Sequence, residues 1–205
     1  MWLQISSVAF ASGLVPLAGA QDGDSDSPEV LELVNGRMAE TGAYPWMGAV
    51  LVGAERTARG SQLCGCVLVH PSWAITAAHC VKELPLDGVD LVFGVYDFAG
   101  EIEQAVRRDI VEIVFAPDFI FQNSDRDGDL ALLRLNEPVT TLVPAAIVSD
   151  PSLFAEGAVV RMLGWGWLGE DASQSNFLQQ LDSTIAASAD AQYEVAGRNG
   201  ANDLA

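Results

Sequence analysis

From residue 47 onward the chain consists of short apolar runs separated by Gly, Pro, Asp and Asn, and no stretch sustains a helical period. Runs at residues 47–52, 64–69, 73–76, 90–95, 105–115, 129–135, 159–163 and 177–185 read as β-strands. Strands at this spacing, with nothing helical between them, confine the chain to an antiparallel sandwich or barrel. Residues 138–157 read as a connector, and the small, polar tail at 186–205 supports no firm element. No internal repeat is visible.

Composition narrows the functional classes. At 205 residues the chain has room for one large all-β domain or two small ones. With 50% apolar residues it can bury a substantial core, which excludes a disordered polymer. Asp and Glu number 28 against 10 Lys and Arg, for a net charge of −18, and Lys82 is the single lysine. A surface this acidic repels phosphate, so nucleic acid is not an expected partner.

The first 20 residues carry no charged side chain, and residues 5–17 are mostly apolar but interrupted by Ser6, Ser7, Ser12, Gly13 and Pro16. That run is too short and broken to span a bilayer. It ends in Ala18-Gly19-Ala20, a small-x-small pattern, and acidic residues follow at once. Residues 1–20 therefore read as a cleaved secretory signal, although no Lys or Arg precedes the apolar run; the alternative is a mispredicted start or a buried apolar segment. Residues 21–32, with five acids and no base, read as an exposed linker or pro-segment. No membrane attachment is expected once the signal is removed.

The chemistry concentrates in two blocks. Thr76-Ala77-Ala78-His79-Cys80 places a histidine at the end of a buried strand and beside a cysteine. Cys64 lies 16 residues upstream, and an exported chain permits a Cys64–Cys80 disulfide. Closing that loop would contribute about 3 kcal/mol in the chain-entropy account, and it would clamp the backbone next to His79. Fifty residues beyond His79, Asp129 precedes the apolar run Leu130-Ala131-Leu132-Leu133. A partly buried carboxylate there needs a partner, and a histidine N–H suits it, because the carboxylate would then fix the tautomer and stabilise the imidazolium.

Leu33-Val34-Asn35-Gly36, Tyr44-Pro45-Trp46, Cys64-Gly65, Thr76-Ala77-Ala78-His79-Cys80, Asp129-Leu130-Ala131-Leu132 and Gly164-Trp165-Gly166 occur in the order and rough spacing of the trypsin/chymotrypsin-like serine proteases. The chain resembles that family from about residue 33 to residue 185. The resemblance implies two six-stranded antiparallel β-barrels with the active site between them: a first barrel at about 33–137 and a second, partial one at about 158–205. It further implies His79 as general base, Asp129 as its orienting carboxylate, a protein or peptide substrate, no cofactor or metal, and an extracellular or periplasmic location.

Two departures qualify what the resemblance implies. The family's nucleophile lies roughly 90 residues past the Asp, about position 220 here, and no Gly-Asp-Ser-Gly-Gly string occurs. Gly23-Asp24-Ser25 falls in the acidic linker, and Ser149, Ser152, Ser173, Ser175, Ser183 and Ser188 lack Gly-rich surroundings, so no nucleophile is assigned. The family's oxyanion hole and specificity pocket belong to the same stretch. The 205 residues alone are therefore expected to be inactive, and the sequence to be a fragment, a frameshift product or a non-catalytic homologue that binds a partner protein. The family's activation cleavage would fall between Glu32 and Leu33, yet Glu32 is not the Arg or Lys preferred there.

Cys66 is left over, either as a buried free thiol or as the partner of a cysteine outside these residues. Asn123-x-Asp125-x-Asp127-Gly128 starts like a calcium loop, but Arg134 holds the position of the closing Glu, which leaves only a looser surface site in play. His70 reads as an exposed turn residue, and Trp165 and Trp167 as packing between strands.

Overall fold

The computed structural model describes residues 8–10, 36–53, 59–119, 128–166 and 175–185. Most of the leader, the acidic linker, Asn123, Asp125 and Asp127, Trp167 and the tail lie outside these residues. In chain order the elements are β1 (Val8–Phe10), β2 (Arg37–Met38), β3 (Met47–Val52), β4 (Gln62–His70), β5 (Trp73–Thr76), a one-turn helix α1 (Ala78–Val81), β6 (Val89–Phe93), β7 (Val106–Phe115), β8 (Ala131–Leu135), β9 (Val159–Gly164) and β10 (Gln179–Thr184). Short 3-10 turns stand at Arg59–Ser61, Leu86–Gly88 and Pro151–Phe154. No helix among the described residues is long and apolar enough to cross a membrane.

Six strands close an antiparallel barrel in the order β3-β4-β5-β8-β7-β6, and four make an open sheet in the order β1-β9-β10-β2. The all-β class expected from the sequence is therefore present, as one closed barrel and a partial second sheet. Period-two alternation explains how the two regions meet. On β3, β4 and β6, Val50, Cys64, Cys66, Leu68, Leu91 and Phe93 fill the barrel. Their neighbours Met47, Ala49, Leu51, Val67 and Val92 instead pack outward against Leu163, Trp165 and Leu178 of the second region. These strands are buried on both faces, and so read as near-continuous apolar runs. β7, by contrast, buries Ile110 and turns most of its remaining residues toward solvent.

Gly48 permits the close approach of β3 to β6. It pairs with Phe93, and a Cβ there would stand 2.5 Å from the Phe93 ring. Trp165 is fully buried. Its ring meets Phe98 edge-on at 4.9 Å, and its Nε1 donates to the Tyr96 carbonyl at 3.2 Å, as packing requires of a buried indole. A polar tie joins the open sheet to the turn that leads into β3: Arg161 of β9 donates to Asp182 of β10 and, at 3.1 Å, to Tyr44 Oη.

Three elements depart from the sequence expectation. β2 is two residues long, too short to leave a periodicity, and is made by pairing with Gln179 and Gln180. α1 is a single turn inside a block that reads as the end of a strand. β1 lies within the segment expected as a signal, and pairs Val8, Ala9 and Phe10 with Leu163, Met162 and Arg161 on the edge of β9.

Candidate active site

β5 and β8 run antiparallel with Thr76 opposite Ala131. Residues just past the end of β5 and just before the start of β8 therefore meet at one rim of the barrel. After Thr76 the chain makes α1, which buries Ala78, Cys80 and Val81 and leaves His79 partly exposed. Two ties hold this turn to β4. Thr76 Oγ1, buried, donates to the Gly65 carbonyl at 2.7 Å, and Cys80 forms a disulfide with Cys64 across a Cα separation of 6.3 Å. Between them they fix the backbone on either side of His79.

Asp129 stands two residues ahead of β8, in a tight turn where Leu130 N–H donates to the Gly128 carbonyl at 2.6 Å. Its carboxylate spans the histidine: Oδ1 accepts from the His79 backbone N–H at 2.8 Å, and Oδ2 lies 2.6 Å from Nδ1. The two side chains are 17% and 18% exposed, open enough to be reached yet shielded enough for the pair to matter. An ionised carboxylate only accepts hydrogen bonds, so Nδ1 carries the proton and Nε2 the lone pair. Nε2 stands 3.5 Å from Cys80 Sγ. A neutral imidazole held this way can take a proton at Nε2, and the adjacent carboxylate stabilises the imidazolium that results.

Gly128 is a positioning residue whose role the sequence alone does not show. Its φ is +63°, in the left-handed region, and a Cβ would lie 2.5 Å from Asp118 Oδ1 and 2.8 Å from the Asp118 carbonyl carbon. Only glycine fits both the conformation and the space. The Asp-Gly dipeptide was the available signal. Thr76 belongs to the Thr-Ala-Ala-His-Cys block, but its buried bond to Gly65 depends on strand register, which residue order alone does not show.

The remaining candidates lie elsewhere. Ser152 bonds Asp150, and Ser175 donates to the Phe177 carbonyl; Ser173 and Ser188 fall outside the described residues. His70 is exposed and accepts from the Ser72 N–H at 3.1 Å. Cys66 is a buried free thiol, and burial pushes its pKa far up, so it stays protonated. Cys64, His79 and Cys80 bring their ligand atoms within 4.8 Å of one another, but disulfide sulfurs are not thiolates and offer a metal little.

Residues 33–202 match the family described as Trypsin. Vitamin K-dependent protein C from Mus musculus is 34% identical over 154 residues, covering 70% of this chain and 32% of that protein. Granzyme M from Rattus norvegicus is 32% identical over 155 residues, covering 74% of this chain and 56% of the relative. Serine proteinase stubble from Drosophila melanogaster is 28% identical over 160 residues, or 76% of this chain and 20% of its own length. The chain thus spans about a third of protein C and little more than half of granzyme M. With the match covering most of its length, the chain belongs to the trypsin-like serine protease family.

Proposed function

We propose that the chain is the His- and Asp-bearing part of a secreted serine-type endopeptidase that hydrolyses peptide bonds in proteins. The observation that carries this reading is the His79–Asp129 pair, with Asp129 on Nδ1 and the Nε2 lone pair directed away from the carboxylate. In the proposed cycle His79 deprotonates a seryl hydroxyl supplied from outside residues 1–205. Asp129 holds the ring and stabilises its charged form, and the acyl-enzyme is then hydrolysed by water that His79 activates. Export is supported by the apolar segment 1–20 and by the Cys64–Cys80 disulfide, which persists in an oxidising compartment. Removal of residues 1–20 would take β1 with it and leave the β9 edge open for another strand.

On this reading residues 1–205 alone turn over no peptide and take no label from a serine-directed fluorophosphonate. Hydrolysis of a peptide ester by this chain, abolished in His79→Ala, would overturn the expected inactivity. The larger claim is tested by reading the gene in three frames for about 150 nucleotides past the Ala205 codon, the span in which the family's nucleophile belongs. A Gly-Asp-Ser-Gly-Gly string there supports the endopeptidase. An unrelated continuation sinks it in favour of a non-catalytic, protein-binding homologue.

A further inference from the structure

Cys64, Cys80 and His79 form a cluster that the proposed hydrolysis uses only in part. Nε2 of His79 faces Cys80 Sγ at 3.5 Å, and the three ligand atoms lie within 4.8 Å of one another. Zinc binds a thiolate at about 2.3 Å and an imidazole nitrogen at about 2.0 Å, so a tetrahedral angle places those two atoms about 3.5 Å apart. Cys80 Sγ and His79 Nε2 already stand at that spacing, while the two sulfurs, joined here as a disulfide, have to part to about 3.8 Å. The outer nitrogen is also prepared for a metal: Asp129 accepts from Nδ1–H at 2.6 Å, which fixes the ring's orientation and the tautomer with its lone pair on Nε2. A carboxylate behind a metal-binding histidine is the usual second layer of a zinc site.

We propose that reduction of the Cys64–Cys80 disulfide converts this rim into a three-ligand site for a soft divalent cation, zinc foremost, and that the occupied site silences His79. A dithiol or phosphine reductant supplies two electrons. The S–S bond breaks: a dithiol hands its two protons to the sulfurs and leaves as its own disulfide, whereas a phosphine takes the oxygen of a water molecule, leaves as the phosphine oxide, and the two protons of that water go to the sulfurs. Metal binding then releases both thiol protons to solvent as two S–metal bonds form and Nε2 donates its lone pair. Cys64 and Cys80 are each 4% exposed, where an unpaired thiolate is unfavourable, and the divalent charge offsets that cost. Cys64 lies within β4, paired with Val50, and Thr76 ties β5 to Gly65, so the segments that carry the ligands keep contacts that do not depend on the covalent bond. With Nε2 occupied, His79 can no longer accept a proton, so reducing conditions with zinc present switch the base off; a chelator that removes the metal, followed by a small-molecule disulfide that takes up the two electrons and two protons and leaves as two thiols, restores it.

The test is spectroscopic and independent of peptidase activity. The full chain, reduced with a phosphine, is titrated with cobalt(II) chloride. One equivalent should bind with thiolate-to-cobalt charge-transfer absorption, at least tenfold tighter than to the oxidised chain, and zinc should bleach the band. His79→Ala should weaken binding at least tenfold and Asp129→Asn by about 10–100-fold, whereas Cys66→Ala should leave the titration unchanged. If reduction alone abolishes the near-ultraviolet dichroism, cobalt should restore it. The proposal is overturned by an absent charge-transfer band, by failure of that restoration, by a His79→Ala titration like the parent's, or by loss of the band in Cys66→Ala.

Discussion

The closed barrel and the open sheet are made of similar strands, yet they differ in what they need from the rest of the chain. Every barrel strand is paired on both sides, and alternate side chains of β3, β4 and β6 fill one interior. The open sheet ends in strands of three and two residues, and Val159 on β9 is 68% exposed. The His79–Asp129 pair belongs wholly to the barrel: β5, β8 and the ties to β4 place it without a residue from the other sheet. A site fragment can therefore be built by one region, while the stability of the other region rests on its packing against Met47, Leu51 and Val92.

The contrast is broken most directly by core truncation. Leu133→Ala, in the fully buried barrel interior, should cost about 2–5 kcal/mol in urea unfolding, and Val159→Ala at the open edge about 0.5 kcal/mol or less. Equal losses would mean that the two regions are not distinct in the way described. Replacing Cys64 and Cys80 together by Ala should cost about 3 kcal/mol by the same measurement, with the open sheet affected only through the barrel.

Gly128→Ala sharpens the comparison within the barrel. Strain at positive φ and the approach of Asp118 should cost about 1–3 kcal/mol. The His79 Nδ1 proton resonance should shift or vanish, as it would in Asp129→Ala, while β9 and β10 are unperturbed. A smaller effect than that of Gly128→Ala concerns the open sheet. The Arg161 hydrogen bonds hold the Asp182 carboxyl below its ordinary range. The contribution of this pair is complete above the unfolded value of about 3.9 and is lost as pH falls through the lower folded value. Arg161→Met should cost about 1 kcal/mol or less, since the pair is partly exposed. It should also flatten the decline of stability with acid below about pH 4.

Much of the barrel was legible because its strands must be apolar on alternate or on both faces, and that leaves a pattern in residue order. β3 and β5 span the expected runs residue for residue, and β6, β7 and β9 agree with theirs to within two residues at either end, whereas β4 extends three residues beyond its run. His79 and Asp129 were legible as residue types next to buried runs. Asp129 was expected to enter the strand, yet it stands in the turn before β8, because its carboxylate must reach two donors of His79 at once. β2 and α1 escaped notice because two- and four-residue elements are made by their neighbours rather than by their own periodicity.

The sequence by itself determined the all-β class, the acidic surface, and the histidine, carboxylate and cysteines available for chemistry, since these follow from residue identity and short-range pattern. Tertiary structure alone decided that Thr76 bonds Gly65, that Gly128 must be glycine, that Nε2 of His79 faces the sulfur of Cys80, and that Cys66 is sealed in the core. The Thr76 bond and the burial of Cys66 depend on the register between strands, and the other two on how the turns beside those strands are held. Register is set by how whole faces pack, and no local stretch of residues encodes it.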